Sequence, residues 1–416
     1  MPDALPLPAL LSSPYEDDRF AAVEDGPSYG AASDAVARMA YEYGQTYDAY
    51  LAAEPNRRRF WSSDGLGVLS YVRYGRHLKV GGGLLGPPEA RERLLREFLA
   101  DCRRRRRTAS FFVIPGDDVG LFEAAGCTVT KWGEDPLVDL SSWSCRGKRY
   151  DWLRRQENFC RRAGLTCEEW DWRGDSPVRR EATFAEIHDV SQDWLARKPQ
   201  RRPLGFFNGE PTREALARQR VFLVRGCEGG GRLEAFVTAS PYRGGTAWAL
   251  DIYRHRSDAV RGAVPFAMLE ALRTLQVAGV EEVSLCMVAA LGCGAEPEQS
   301  SLTGRLLNRG ARMLSPLFDL AGMHHYKSRF RPRFEPRYLC VWPAPSLMNT
   351  LTTFHLTGVT NFSWKKLAHK AWRQLRQTQR RTLAKFDSDH GEQNAAAPLV
   401  PRPHFLGKSN RSAREA

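Results

Sequence analysis

The chain has 416 residues, 42% of them hydrophobic and 26% charged, a globular balance that excludes wholesale disorder and fibrous architectures. Lys and Arg number 61 against 48 Asp and Glu, a formal charge of +13, which favours polyanionic partners, nucleic acid or the anionic face of a membrane, without choosing between them. Nine cysteines, at 102, 127, 145, 160, 167, 227, 286, 293 and 340, show no CxxC or Cys/His spacing of a zinc site, so reduced thiols and no metal centre are expected. The opening MPDALPLPALLSSPYEDD has neither a basic n-region nor a long apolar core, and no run nears the ~20 apolar residues of a spanning helix. A cytoplasmic protein is expected, with any membrane contact peripheral.

In chain order, residues 1–30 read as a flexible leader. Val36, Met39, Ala40, Tyr43 and Tyr47 recur at helical spacing within 32–52. Two short strands follow, GVLSYVRY and RHLKVGG, and then GGGLLGPP at 81–88 reads as a turn, since it lacks the Gly-Lys-Ser ending of a phosphate loop. Residues 86–107 read as a helix with Leu94, Leu95, Phe98 and Leu99 on one face, closed by RRRRR at 103–107. SFFVI, DDVGLFEAAG and CTVTKW give a strand, a short helix and a strand; 148–164 forms a connecting helix.

From about residue 180 much of that order returns. A helix at 183–196 leads to strands VFLVR, RLEAFVTAS and TAWALDIYRH, a long helix closed by Gly279, the strand EEVSLCMV and a helix at 300–310. Mixed strands with helices on both faces argue against a Rossmann or barrel fold and fit two tandem acetyltransferase (GNAT)-like α/β domains with mixed sheets, in each of which two central strands splay apart. The expected division is 31–175 and 176–345, followed by a basic amphipathic extension at 346–386 and a disordered tail at 387–416. Within the extension, 363–386 holds eight Lys and Arg and no acidic residue, with Trp364, Leu367, Ala368, Ala371, Trp372 and Leu375 as an apolar stripe. That helix suits anionic lipid, RNA or plain domain capping.

Two constellations carry chemistry. Asp251 and Arg254 end a strand just before a long helix, and a carboxylate three residues from a guanidinium can form a charge-assisted pair. The following loop brings Arg256, Arg261 and Gly262 to a helix N-terminus, a setting that suits a phosphate. In MHHYKSRFRPRFEPRYL, Lys327, Arg329, Arg331, Arg333 and Arg337 alternate with Tyr326, Phe330, Phe334 and Tyr338, and on a strand this pattern turns rings inward and cations outward. His324 and His325 lack a third partner and read as structural.

The run GEDPLVDLSSWSCRGKRYDWLRRQENFCRRAGL at 133–165 resembles the catalytic domain of the lysylphosphatidylglycerol synthases. The likeness continues through DWLARKPQRRPLGFF, LDIYRHRSDAVRGAVPFAM and VSLCMVAALG to YKSRFRPRFEPRYL, in one order across about 60–345. The resemblance implies paired GNAT-like domains that take the end of an aminoacyl-tRNA and pass the amino acid to a hydroxyl of phosphatidylglycerol, with no cofactor, because the aminoacyl ester is already activated. It marks Asp251, Arg254 and Lys327 as catalytic, and Tyr253, Arg256, Arg261, Tyr326, Arg329, Glu335 and Arg337 as substrate-binding. Arg254 or Lys327 would stabilise the oxyanion, and Asp251 would orient Arg254 or bind the α-ammonium. The chain departs from the pattern in three ways. The flippase module that membrane-bound members carry in front is not expected here, Met287-Val288-Ala289 stands where Met-Ala-Pro is usual, and Phe207-Asn208 stands where Phe-Asp is usual. These departures keep open a soluble acceptor, and the fold keeps open acyl-CoA-dependent N-acyl transfer.

Overall fold

A computed structural model describes residues 29–198, 206–226, 231–293 and 319–356. The helix at 300–310, the segment 363–386, the tail and nearly all of the leader lie outside these residues. Helix α1 (Tyr29–Tyr43) stops at Gly44, and a 3-10 turn (Ala49–Ala53) follows. The single helix expected over 32–52 is therefore broken, because Gly44 approaches Ala40 and Ala49 too closely for any side chain. Strands β1 (Arg58–Trp61), β2 (Val68–Tyr74) and β3 (His77–Leu85) form an antiparallel meander. Helix α2 (Pro88–Arg104) then leads to β4 (Thr108–Pro115), which lies parallel to β3. The apolar stripe of α2, Leu94, Leu95, Phe98 and Leu99, is buried on this sheet as its spacing predicts. Helix α3 (Val119–Ala124) and β5 (Thr128–Asp139) complete the first set.

The glycines at 81–83 do not form a turn. They lie inside β3, where Gly82 takes φ +84° and sits under Ala49 and Ala52 of the 3-10 turn. A side chain at Gly81 would meet Arg57 and Phe206. These glycines make room for a second layer on the strand.

After α4 (Asp151–Arg162) the pattern recurs, starting earlier than residue 180 with β6 (Leu165–Glu169). Helices α5 (Pro177–Ala196) and α6 (Arg213–Leu216) precede the meander β7 (Arg220–Gly226), β8 (Leu233–Tyr242) and β9 (Ala247–His255). Helix α7 (Ala263–Val277) then returns the chain to β10 (Glu282–Ser284), parallel to β9. Short β11 (Val288–Ala289), α8 (Leu320–Ser328), β12 (Arg333–Trp342) and α9 (Leu347–Leu356) follow. Each set is an antiparallel meander, a crossover helix and a parallel strand, so the fold is the expected tandem GNAT-like α/β arrangement.

All the strands among the described residues join one mixed sheet, in the order β1-β2-β3-β4-β12-β5-β10-β9-β8-β7-β6, with β11 on β5. The late strand β12 lies between β4 and β5, and β5 in turn pairs with β10. Arg337 of β12, Asp135 of β5 and Ser284 of β10 meet at this seam, all three buried. The eight cysteines within the described residues are free thiols. Among the described residues no helix is long and apolar enough to cross a membrane.

Candidate active site

The site forms where β9 and β10 part. They pair through Ala247–Ala249 and Glu282–Ser284. Beyond Ser284 the chain leaves the ladder, Cys286 adopting φ +65°, and strand pairing resumes at β11 against Gly133 and Glu134. On the other side of the opening, β9 contains a bulge. Val237 pairs with Tyr253 and Ala239 with Leu250, so Asp251 and Ile252 together oppose Thr238. The extra residue shifts the alternation of side chains and brings Asp251 and Arg254, three residues apart, to one face of the strand.

Asp251 is buried, and its carboxylate is fully engaged. Thr238 Oγ1 donates to Oδ1 at 2.5 Å, Gln219 Nε2 donates to Oδ2 at 3.1 Å, and the Tyr50 hydroxyl also bonds to it. Burial pushes its pKa above the usual carboxylate range, although the Thr238 and Tyr50 bonds oppose the rise. Gln219 Nε2 also reaches Ser240 Oγ at 2.8 Å, while its Oε1 is buried without a hydrogen-bond partner. A buried orphan acceptor is costly unless something else binds to it.

Gln219 is among the residues that line a cleft of about 340 Å³ between α1, the 3-10 turn, α6 and β8, as are Tyr50, Glu54, Arg218 and Ser240. Glu54 is 8% exposed. Burial, opposed by Arg57, raises its carboxyl pKa to about 7, with Glu210 and Asp251 adding repulsion. A carboxylic acid that titrates near neutral pH inside a cleft is suited to proton transfer.

Lys327 enters from α8. It is 2% exposed, and its Nζ donates to the carbonyl of Cys286 at 2.7 Å. The Cys286 thiol contacts the Leu250 carbonyl at 3.3 Å, so Lys327 lies on one side of this irregular segment and β9 on the other. Burial raises the Cys286 pKa far above its usual value, with Lys327 opposing and Asp251, Asp135 and Asp48 reinforcing the rise. Ser284 Oγ and Arg337 Nη2 bond to the two oxygens of Asp135 at 2.6 and 3.1 Å. Tyr47, also buried, lies in the field of Asp48, Cys286, Asp135 and Arg337.

Sequence and fold comparisons agree on what this chain resembles. Residues 38–341 match the family model described as phosphatidylglycerol lysyltransferase, C-terminal. The chain belongs to this family. The phosphatidylglycerol lysyltransferase of Bacillus subtilis (strain 168) is 25% identical over 333 residues, 79% of this chain and 37% of the relative. That of Staphylococcus aureus (strain COL) is 24% identical over 311 residues, 75% of this chain and 36% of the relative. The chain thus spans little more than a third of the length of these relatives. Among solved structures, L-PGS from Bacillus licheniformis superposes with a TM-score of 0.64 at 22% identity, covering 80% of this chain and 97% of that one. The C-terminal domain of a putative lysylphosphatidylglycerol synthetase from Agrobacterium fabrum gives the same score and identity, covering 79% and 96%.

Of the residues marked by the family motifs, Asp251, Arg254 and Lys327 surround the opening, but they do not form the pair expected from spacing. Asp251 makes no ion pair with Arg254. The Arg254 guanidinium instead lies over the Trp194 ring at 5.2 Å, and burial lowers its pKa to about 10, opposed by Glu210 and Asp251. Alternation on a strand fails for the first part of the basic-aromatic run, which is the helix α8; this is how Lys327 becomes buried instead of turning outward. Tyr326 contacts Met268 Sδ through its hydroxyl at 3.3 Å and stacks edge-on to Trp152. Tyr253 packs on the same core. Arg329 lies over Trp152 and meets His325 Nε2 at 2.8 Å. Glu335 and Arg337 bond to each other at 3.2 Å, which places Arg337 in the seam under the site.

In the loop expected to suit a phosphate, one arginine is engaged and the other is exposed. Arg256 Nε donates to the Leu233 carbonyl at 2.8 Å and braces the end of β9, Arg261 is exposed, and Gln156 of α4 lies against Gly262. Sequence reasoning missed Tyr50, Glu54 and Gln219. Tyr50 falls inside the segment read as one helix but off its stripe, Glu54 lies just past that segment, and Gln219 precedes an ordinary strand. The signal that could have found them was Asp48-x-Tyr50-x-x-x-Glu54, polar residues that interrupt the apolar spacing after Gly44.

Proposed function

We propose that this chain is a tRNA-dependent aminoacyltransferase that moves an amino acid from aminoacyl-tRNA to a hydroxyl of a phospholipid such as phosphatidylglycerol. The observation that carries the reading is the buried Lys327 amine at the parting of β9 and β10, taken with a cleft lined by Glu54 and by Gln219, whose Oε1 has no hydrogen-bond partner. Family membership supports the donor and acceptor classes.

The residues divide the chemistry between them. The orphan Oε1 of Gln219 accepts from the α-ammonium of the aminoacyl group. The carboxylate form of Glu54 takes the proton of the acceptor hydroxyl as its oxygen bonds to the ester carbonyl carbon. Lys327 N–H groups stabilise the oxyanion that develops on the carbonyl oxygen. Collapse then breaks the bond to the ribose oxygen, which receives the proton from Glu54. Asp251 is a positioning residue here, holding Tyr50 and Gln219 at the cleft, and Arg254 closes the far side over Trp194. Trp132, Phe207 and Met287, partly buried against the core beneath the opening, offer apolar surface for the acceptor's hydrocarbon. A bilayer acceptor places the chain at an anionic membrane surface, in keeping with its charge of +13.

The test is a transfer assay on the purified chain with phosphatidylglycerol vesicles and total tRNA charged with labelled amino acids. Label in the chloroform phase is the expected result, and thin-layer analysis identifies the product. Enzyme-dependent release into the aqueous phase alone assigns the acceptor to a soluble molecule. Unchanged aminoacyl-tRNA rejects the reading.

A further inference from the structure

One end of the first meander gathers arginines that the proposed chemistry does not use. Arg58 opens β1 directly opposite Tyr71 of β2, and Arg73 lies two residues beyond Tyr71 on the same face. Tyr71 packs on Phe98 of α2, with ring centroids 5.7 Å apart. Arg58 and Arg73 therefore occupy the face that α2 covers, next to the helix end that carries 103–107. Arg76 stands in the β2–β3 turn, its carbonyl accepting from Thr108 N at 2.9 Å, which ties the turn to the start of β4 just past that run. Strands spaced about 4.8 Å apart spread these side chains over roughly 14 Å from β1 to β4.

The charge is concentrated. Partial burial and then repulsion from Arg107, Arg58 and Arg105 hold the Arg73 guanidinium below its usual range. Burial, with Lys79 and Arg76 beside it, lowers His77 to about 4, so that ring stays neutral. Asp101, at the end of α2, is shared by Arg104 and Arg105.

We infer that the arginine cluster at the β1–β2–α2 corner is a binding surface for the phosphodiester backbone of an RNA, the body of the aminoacyl donor, away from its reacting end. The guanidinium fork matches phosphate oxygens, and a row of such side chains suits a repeating polyanion. An anionic bilayer fits less well, because the exposed apolar side chains of this hairpin, Trp61 and Leu66, lie at its opposite end, where they cannot anchor a membrane beside the arginines. The inference rests on the tRNA-donor reading given above.

The test measures binding of labelled tRNA to the whole chain from about 50 to 200 mM salt. The triple variant Arg58→Gln, Arg76→Gln, Arg105→Gln is compared with Arg173→Gln, Arg179→Gln, Arg232→Gln, which removes the same charge elsewhere. The corner variant is expected to bind tRNA about tenfold or more weakly, with the log–log salt slope reduced by roughly 2–3, as loss of three phosphate contacts requires. The control should bind like the wild type. Transfer from a short aminoacylated 3′-end fragment should be the same in the corner variant and the wild type. Equal tRNA binding by the wild type and the corner variant overturns the inference, as does equal weakening by both triples. Weakened binding to phosphatidylglycerol vesicles with unchanged tRNA binding overturns it in favour of a membrane surface. Failure of the wild type to transfer from either donor refutes the tRNA-donor reading instead, a result separate from the comparison of variants.

Discussion

At the residue scale the account depends on two ionisable groups that the fold buries beside the opening. Glu54 has a carboxyl pKa raised to about 7 by burial. If its carboxylate accepts the acceptor's proton, kcat should rise with pH through an apparent pKa near 7 and level off above it. Glu54→Gln should lower kcat and flatten that limb, whereas a merely structural role would leave the pH profile of the residual activity unchanged. The same shift affects stability. The folded state holds this proton up to about pH 7 and the unfolded state only up to 4.5, so Glu54 lowers stability progressively as pH rises between those values.

At the element scale, the last described helix, α9, is fastened to β3 by a lysine with neutral partners. Lys79, fully buried, donates to Asn349 Oδ1 at 2.5 Å, Thr353 Oγ1 at 2.9 Å, the Asn349 carbonyl at 3.0 Å and Ser110 Oγ at 3.3 Å. Burial holds its pKa well below 10.5. The unfolded amine keeps its proton up to 10.5, so this contribution to stability is fully present above that pH and is lost as pH falls toward the folded value. Urea denaturation should therefore show stability rising from neutral to mildly alkaline pH, and Lys79→Met should reduce the rise.

Elements with a strong period were legible in the sequence, and those set by tertiary contact were not. Leu94, Leu95, Phe98 and Leu99 announce α2 because one face must be buried wherever the helix packs. Gly81–Gly83 mislead, because a turn and a strand overlain by another layer use the same residue. Asp251 and Lys327 were legible through motifs. Gln219 was not, since its role arises only when β7, β8 and a bulged β9 are side by side. The helix at Lys327 escaped an alternating pattern of rings and cations that fits a strand equally well.

At the scale of the molecule, β12 crosses back between β4 and β5, so the last described strand stabilises the first half. Arg337 and Asp135, at 2% and 0% exposure, form the ion pair of this seam. Removing one member of such a pair strands a buried charge, so Arg337→Met should cost about 3–5 kcal/mol. Adding Asp135→Asn should recover part of that loss, as a double-mutant cycle of denaturant midpoints will measure. Because the seam underlies Lys327 and Cys286, folding of the late strand and assembly of the site are one event in this architecture.

The central claim is that aminoacyl transfer takes place at the parting of β9 and β10, with Lys327 stabilising the oxyanion. Single-turnover transfer from charged tRNA to phosphatidylglycerol vesicles, wild type beside Lys327→Met, tests it most directly. Roughly 10²–10³-fold slower transfer, as expected for loss of one oxyanion donor, with tRNA binding and thermal midpoint little changed, is the outcome this account requires. Transfer within threefold of the wild type would contradict it and remove Lys327 from the chemistry.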